Sequence, residues 1–252
     1  MNLSKYKQLI GAFSSWYPTQ QLYESGYQGQ LTLEKLNALD KESFISFFYD
    51  FYAEGGKIQS GGHRTKNRFR ETLVNNYEAF RDYLLQPFHE NFKVLDWLED
   101  RKKYNQWGEG ISTIFLNRIN PKEYPVINNK TVDGLRLLGF TISSTYPTKY
   151  TDIRNAQLSL MAEFPDLKDF FKTDRLNQFI VGEPQGKQMI RDINPELYNE
   201  LEKKSTDPFS ELINAYKQHL TEDGLTGEIY KWKAVKHFQE TWNPDATNFG
   251  EM

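Results

Sequence analysis

Apolar residues along this chain recur mostly at helical spacing. Phe44, Phe47, Phe48 and Phe51 fall at i, i+3, i+4 and i+7, which places them on one face of a helix. Asp40 stands before them as an N-cap, and Gly55-Gly56 is the expected stop. Leu73, Tyr77, Phe80 and Leu84 repeat the pattern up to Pro87. Ile111, Ile114, Phe115 and Ile119 form a further stripe closed by Asn120-Pro121. Val132, Leu135 and Leu138 form another, with Gly139 at the position after the helix end, where a left-handed backbone is common. Later stripes are Leu176/Phe179/Ile180, Leu197/Leu201, Leu212/Ile213/Tyr216/Leu220 and Ile229/Trp232/Val235.

Strand signals are scarce. Residues 142–150 are rich in Ser, Thr and Tyr, but Pro147 disfavours a ladder strand, so a loop is expected there. The predicted fold is all-α, a multi-helix bundle. The loop suggests a boundary: a front helical region over 1–145, a second over 146–240, and a linker over 241–252. No repeat of fixed period and no low-complexity tract is visible.

Composition narrows the function classes. Of 252 residues, 38% are hydrophobic and 15% aromatic, with 18 Phe and 15 Tyr, so aromatic rings should dominate the core. The net charge of −3 means that any contact with a polyanion must come from a local patch. With no cysteine, disulfides, thiol catalysis and zinc fingers are excluded. No apolar run approaches the roughly 18 residues of a membrane span, and the N-terminus has no signal-like apolar region. A soluble, cytoplasmic protein is expected, with no membrane partner and no cofactor.

Residues 55–70 form a basic glycine loop. They hold Lys57, Arg64, Lys66, Arg68 and Arg70, with His63 and no acidic residue, and the four glycines Gly55, Gly56, Gly61 and Gly62. Glycines let backbone N–H groups approach an anion closely, and Ser60 and Thr65 add hydroxyl donors. A helix opening near Arg64 would point its first N–H groups at the same anion. The alternative is a solvated turn leading into a basic helix start.

A second glycine turn lies at Trp107-Gly108-Glu109-Gly110-Ile111-Ser112-Thr113, of the form Gly-x-Gly-x-x-Thr. Pro125-Val126-Ile127-Asn128-Asn129-Lys130-Thr131-Val132 follows it. Together they resemble the helix-hairpin-helix of the DNA glycosylase superfamily, whose hairpin glycines present N–H groups to a DNA phosphate. Aligned on Val132, the family's catalytic aspartate falls on Asn129, and the lysine of bifunctional members falls on Ser112. An amide replaces a carboxylate base, so the resemblance implies DNA binding, with or without nucleotide extrusion, and no bond cleavage. The alternative is an ordinary turn between two helices.

Other features carry less. Gly182 to Lys187 is too short for a phosphate loop, and Gln188 stands where a magnesium-binding hydroxyl is needed. Glu202-Lys203-Lys204 fits a solvated helix face. His63, His89, His219 and His237 lack metal-ligand spacing.

The tail carries a second resemblance. Lys231, His237-Phe238-Gln239, Trp242 and Phe249-Gly250-Glu251-Met252 look like the segment before the AAA+ motor of McrB-like restriction proteins, and residues 59–139 look like their variable N-terminal region. The family implies a DNA-recognition domain for modified or site-specific DNA, working with a nucleotide-hydrolysing motor and a McrC-like nuclease subunit. No Walker motif is present, so a non-catalytic recognition region cut from a longer protein is expected.

On this reading double-stranded DNA is held by Lys57, Ser60, Gly61, Gly62, His63, Arg64, Lys66 and Arg68 in the basic loop. Trp107, Gly108, Gly110, Ser112 and Thr113 act in the hairpin, and Asn128, Asn129 and Lys130 in the turn after it. Trp107 or Tyr104 would stack on an extruded base. The Asn amides would pair with a base edge. Two other readings stay open: a glycosylase-like enzyme using Asp133, and a protein-interaction adaptor with no DNA role.

Overall fold

The computed structural model describes residues 2–17, 27, 30–53 and 62–205, with side chains for all of these except 53, 62–65 and 203–205. Among them there is no strand, and these described residues form twelve α-helices. They are α1 (Lys7–Trp16), α2 (Leu33–Ala38), α3 (Lys41–Ala53), α4 (Gly62–Asn75), α5 (Tyr77–Leu85), α6 (Val94–Asp100), α7 (Glu109–Ile119), α8 (Asn129–Leu137), α9 (Thr148–Glu163), α10 (Phe170–Gly182), α11 (Pro184–Ile193) and α12 (Pro195–Ser205). None of the described helices is long and apolar enough to cross a membrane.

Local chemistry sets the helix ends. Asp40 caps α3, its Oδ1 accepting from the Ser43 N–H at 2.8 Å. That bond holds the Asp40 carboxyl below the usual carboxylate range. Asn128 caps α8 through the Thr131 N–H, and Asp169 caps α10 through the Lys172 N–H. Helix α8 stops at Gly139, whose φ of 86° closes the turn. There the Phe140 N–H reaches the Leu135 carbonyl at 3.0 Å and the Gly139 N–H reaches Arg136 at 2.8 Å. This is the paired bonding of a glycine-terminated helix.

The front core is a mesh of aromatic rings. Phe44, Phe48 and Phe51 of α3 are fully buried, and Phe48 and Phe51 pack on Trp107 and on Phe115 of α7. Trp97 stacks on Tyr83 at 4.5 Å with ring planes 4° apart. Its indole N–H donates to the Tyr83 carbonyl, and the Tyr83 hydroxyl donates back to the Trp97 carbonyl. The predicted stripe from Leu73 to Leu84 spans two helices, because the chain turns at Asn76 between α4 and α5.

The back core is built on α10, which packs against α8 and α11. Close approach is enforced by missing side chains: a Cβ on Gly134 would lie 2.8 Å from the Asn177 Cβ, and one on Gly186 would lie 2.1 Å from the Phe179 carbonyl oxygen. The N-terminus joins this layer. The Tyr6 hydroxyl donates to the Leu138 carbonyl at 2.8 Å and accepts from the Asn194 amide at 2.7 Å.

The chain divides into two compact units, Met1–Leu197 and Tyr198–Met252. The boundary expected after residue 145 falls inside the first unit. Residues 140–147 are irregular, consistent with Pro147, but they are tied into this unit: Arg136 donates to the Ile142 carbonyl, and Asp152 accepts from the Ser143 N–H. In the second unit only the end of α12 is described, so the stripes over 212–235 and the tail lie outside the described residues.

Candidate nucleic-acid interface

Helix α7 carries the second glycine turn, and the segment 120–128 leads from it into α8. Thr113 fixes the spacing between them. Its side chain is buried, and its Oγ1 accepts from the Ile127 N–H at 2.9 Å while lying 3.0 Å and 3.1 Å from the Glu109 and Gly110 carbonyls. This single hydroxyl ties the start of α7 to the residue before Asn128. Ser112 is equally buried and donates to the Gly108 carbonyl at 2.9 Å. The expected DNA contacts through these two hydroxyls are therefore corrected: both face inward and hold the turn.

Gly108 faces open space, and Gly110 has room for a Cβ. A Cβ on Gly108 would meet nothing within 4 Å, and one on Gly110 would make ordinary contact with the Ile127 carbonyl at 3.7 Å. No side chain caps this end of α7. Packing does not call for bare backbone here, but a ligand approaching the first N–H groups of the helix would.

The turn and the start of α8 share one cavity of about 940 Å³. Gly108, Gly110, Asn128, Asn129 and Lys130 all line it. Asn128 has little left to offer a base. Its Oδ1 accepts from the Thr131 N–H at 2.9 Å, and its Nδ2 donates to Asp174 at 3.3 Å. Thr131 and Gln178 also donate to Asp174, both at 2.8 Å, so this buried carboxylate organises the wall of the cavity. Asn129 and Lys130 are exposed. The Lys130 ammonium lies 3.8 Å from where a Cβ on Gly182 would sit, at the partially negative C-terminal end of α10.

Trp107 is not a stacking platform. It is 1% exposed and meets Phe48, Phe51, Phe69, Phe80 and Phe115, so stacking on a base would require dismantling the aromatic core. Tyr104 is half-buried against Phe80 and Tyr83, with its hydroxyl on the Ala79 carbonyl. Burial pushes the Tyr104 phenol up from its ordinary value.

The basic glycine loop is described only in part. Lys57, Ser60 and Gly61 lie outside the described residues. Gly62, His63 and Arg64 open α4, with no description of the two side chains. Lys66 and Arg68 sit on the same helix, Arg68 exposed. Two residues flanking the undescribed segment meet each other: Tyr52 stacks on Phe69 at 4.2 Å. Phe69 then stacks on Trp107 at 5.6 Å, and Tyr52 lines the cavity. The helix that follows the basic loop therefore packs directly on the residue preceding Gly108.

Sequence reasoning missed several lining residues. Arg101, Lys102, Asn105, Gln106, Glu109, Lys149 and Gln178 all face the cavity. Arg101-Lys102-Lys103 is a visible basic run six residues before the turn. Lys149 and Gln178 come from distant helices, and no local pattern marks them. Gln106 adopts φ 67°, a strained value for a non-glycine residue, at the loop tip beside the cavity. Asp133, the carboxylate offered for a glycosylase-like reaction, is not among the lining residues; burial raises its pKa.

No known protein family matches the chain, and neither curated proteins nor solved structures yielded a match.

Proposed function

We propose that this chain is a DNA-recognition module, non-catalytic by itself, that holds the phosphate backbone at the cavity between α7 and α8. One observation carries the reading. Two segments separated in sequence, the bare-backbone turn at 108–110 and the amide-bearing start of α8, line one cavity with Arg101, Lys102, Lys130 and Lys149. Four cations beside an uncapped helix start, two of them held in ion pairs (Lys102 with Glu99, Lys149 with Glu109), suit a polyanion even in a chain whose net charge is −3. Asn129, Asn105 and Gln106 add amide groups that offer both a donor and an acceptor to a base edge.

The carboxylates near this surface fit binding better than bond cleavage. Asn129 offers an amide at the position where a glycosylase would carry its acid. Asp174 accepts from three donors, and Glu109 is paired with Lys149. The resemblance of the tail to McrB-like proteins extends the proposal. Within a restriction system in the cytoplasm, the module would select modified or site-specific DNA for a motor and a McrC-like nuclease.

The test is a mobility shift at low salt with unmodified, methylated and hydroxymethylated duplexes. A shift that strengthens with one modification is expected. Failure to shift any duplex at micromolar protein would leave an adaptor with no DNA role.

A further inference from the structure

One carboxylate stands among the cations of the cavity. Glu109, the first residue of α7, places both oxygens 3.0 Å from the Lys149 Nζ. Forty residues separate the partners, and both side chains are mostly shielded, at 25% and 19% exposure. Oε2 accepts a hydrogen bond from the ammonium, and Oε1 completes the ion pair at the same distance. Tyr146 lies alongside, with the Arg101 guanidinium 5.1 Å from its ring centre.

Glu109 thus sits at the positive end of α7 and on a cavity cation at once. These are the two features that an incoming phosphate would use. A shielded ion pair recovers little beyond its desolvation cost, so a competing anion can replace the carboxylate on Lys149. From this geometry we infer that Glu109 is an internal stand-in for phosphate, holding Lys149 until a nucleic-acid backbone displaces it. The inference rests on the DNA reading above. It makes Glu109 the residue that sets how strongly the cavity discriminates between polyanions and weaker anions.

A double-mutant cycle reports the exchange directly. The counterion that Lys149 releases comes from the DNA, and an isolated carboxylate condenses none, so Lys149 on a phosphate counts toward the log–log slope with or without Glu109. Glu109→Gln removes the competitor without adding a phosphate contact. Affinity therefore rises about tenfold, the worth of one charge-assisted contact, while the slope stays near the wild-type value.

The experiment titrates a labelled duplex with the full chain over a salt series, using wild type, Glu109→Gln, Lys149→Gln and the double variant. The double variant should lose the gain, and Lys149→Gln alone should lower the slope by roughly 0.9. Wild-type affinity in Glu109→Gln overturns the inference and leaves the DNA reading standing. So does an equal gain from Glu109→Gln in the Lys149→Gln background, which would make Glu109 a plain repulsive charge rather than the holder of Lys149. Absence of binding by both wild type and Glu109→Gln overturns both.

Discussion

At the scale of single residues, the polar groups that read as ligand contacts divide into those holding the cavity and those facing it. Thr113 belongs to the first group, because its hydroxyl is the acceptor for the buried Ile127 N–H. Thr113→Val keeps the shape and removes that acceptor, so it should cost about 1–3 kcal/mol by denaturant unfolding. Ser112→Ala should cost less. Its hydroxyl adds a second donor to the Gly108 carbonyl, which already accepts from the Ser112 N–H. Equal losses for the two would remove the special role assigned to Thr113. The Gly-x-Gly-x-x-Thr pattern was legible in the chain, but its division of labour was not. Spacing shows that Thr113 lies one turn from Gly110; only the fold shows that it faces Ile127. Trp107 illustrates the same limit, since an indole beside a glycine turn reads equally well as a base platform or as core.

At the scale of elements, legibility followed the contrast between the faces of each helix. Helices α3, α7 and α8 carry unbroken apolar stripes, and their caps Asp40, Asn128 and Gly139 are conventional residue types. Helix α9 gave no such stripe, because the small Ala156 and the polar Gln157 share its buried face with Ile153 and Leu160. Helix α8 owes its fit on α10 to an absence, the missing side chain of Gly134. Alanine there gains up to about 1 kcal/mol in helix propensity. Its Cβ, however, would stand 2.8 Å from the Asn177 Cβ and 3.0 Å from the Asn177 Cα, atoms that cannot swing aside. Gly134→Ala should therefore destabilise the protein by about 1–3 kcal/mol. Gly11 is the internal control, with nothing within 4 Å of its would-be Cβ on α1. Gly11→Ala should stabilise by up to about 1 kcal/mol. Thermal or denaturant melts of the pair check the sign of each change, and a stabilised Gly134→Ala would contradict the packing of α8 on α10.

At the scale of the molecule, the question is whether the cavity and the basic face of α4 grip one duplex. The chain is net negative, so distant charges repel DNA and binding must be carried by contacts close to the phosphates. The stack of Phe69 on Trp107 puts α4 beside the glycine turn, which makes a shared footprint geometrically reasonable. Lys130 is the cleanest probe of the cavity, being exposed and with no role in the core. Lys130→Ala should weaken every duplex alike and lower the log–log salt slope by roughly 0.9, at a stability cost of no more than about 1 kcal/mol from its place at the C-terminal end of α10. Arg68→Ala, exposed on α4, should do the same if that helix also lies along the backbone. Combining them then separates two arrangements. If both touch the same bound duplex, the slopes add to a loss of roughly 1.8. If the two faces bind DNA as independent sites, each single change leaves the other site intact, and the slope for the remaining site stays at its own value while the stoichiometry falls. A Lys130→Ala variant with the wild-type slope would take the start of α8 out of the interface and make α4, with Arg68, the next basic surface to test.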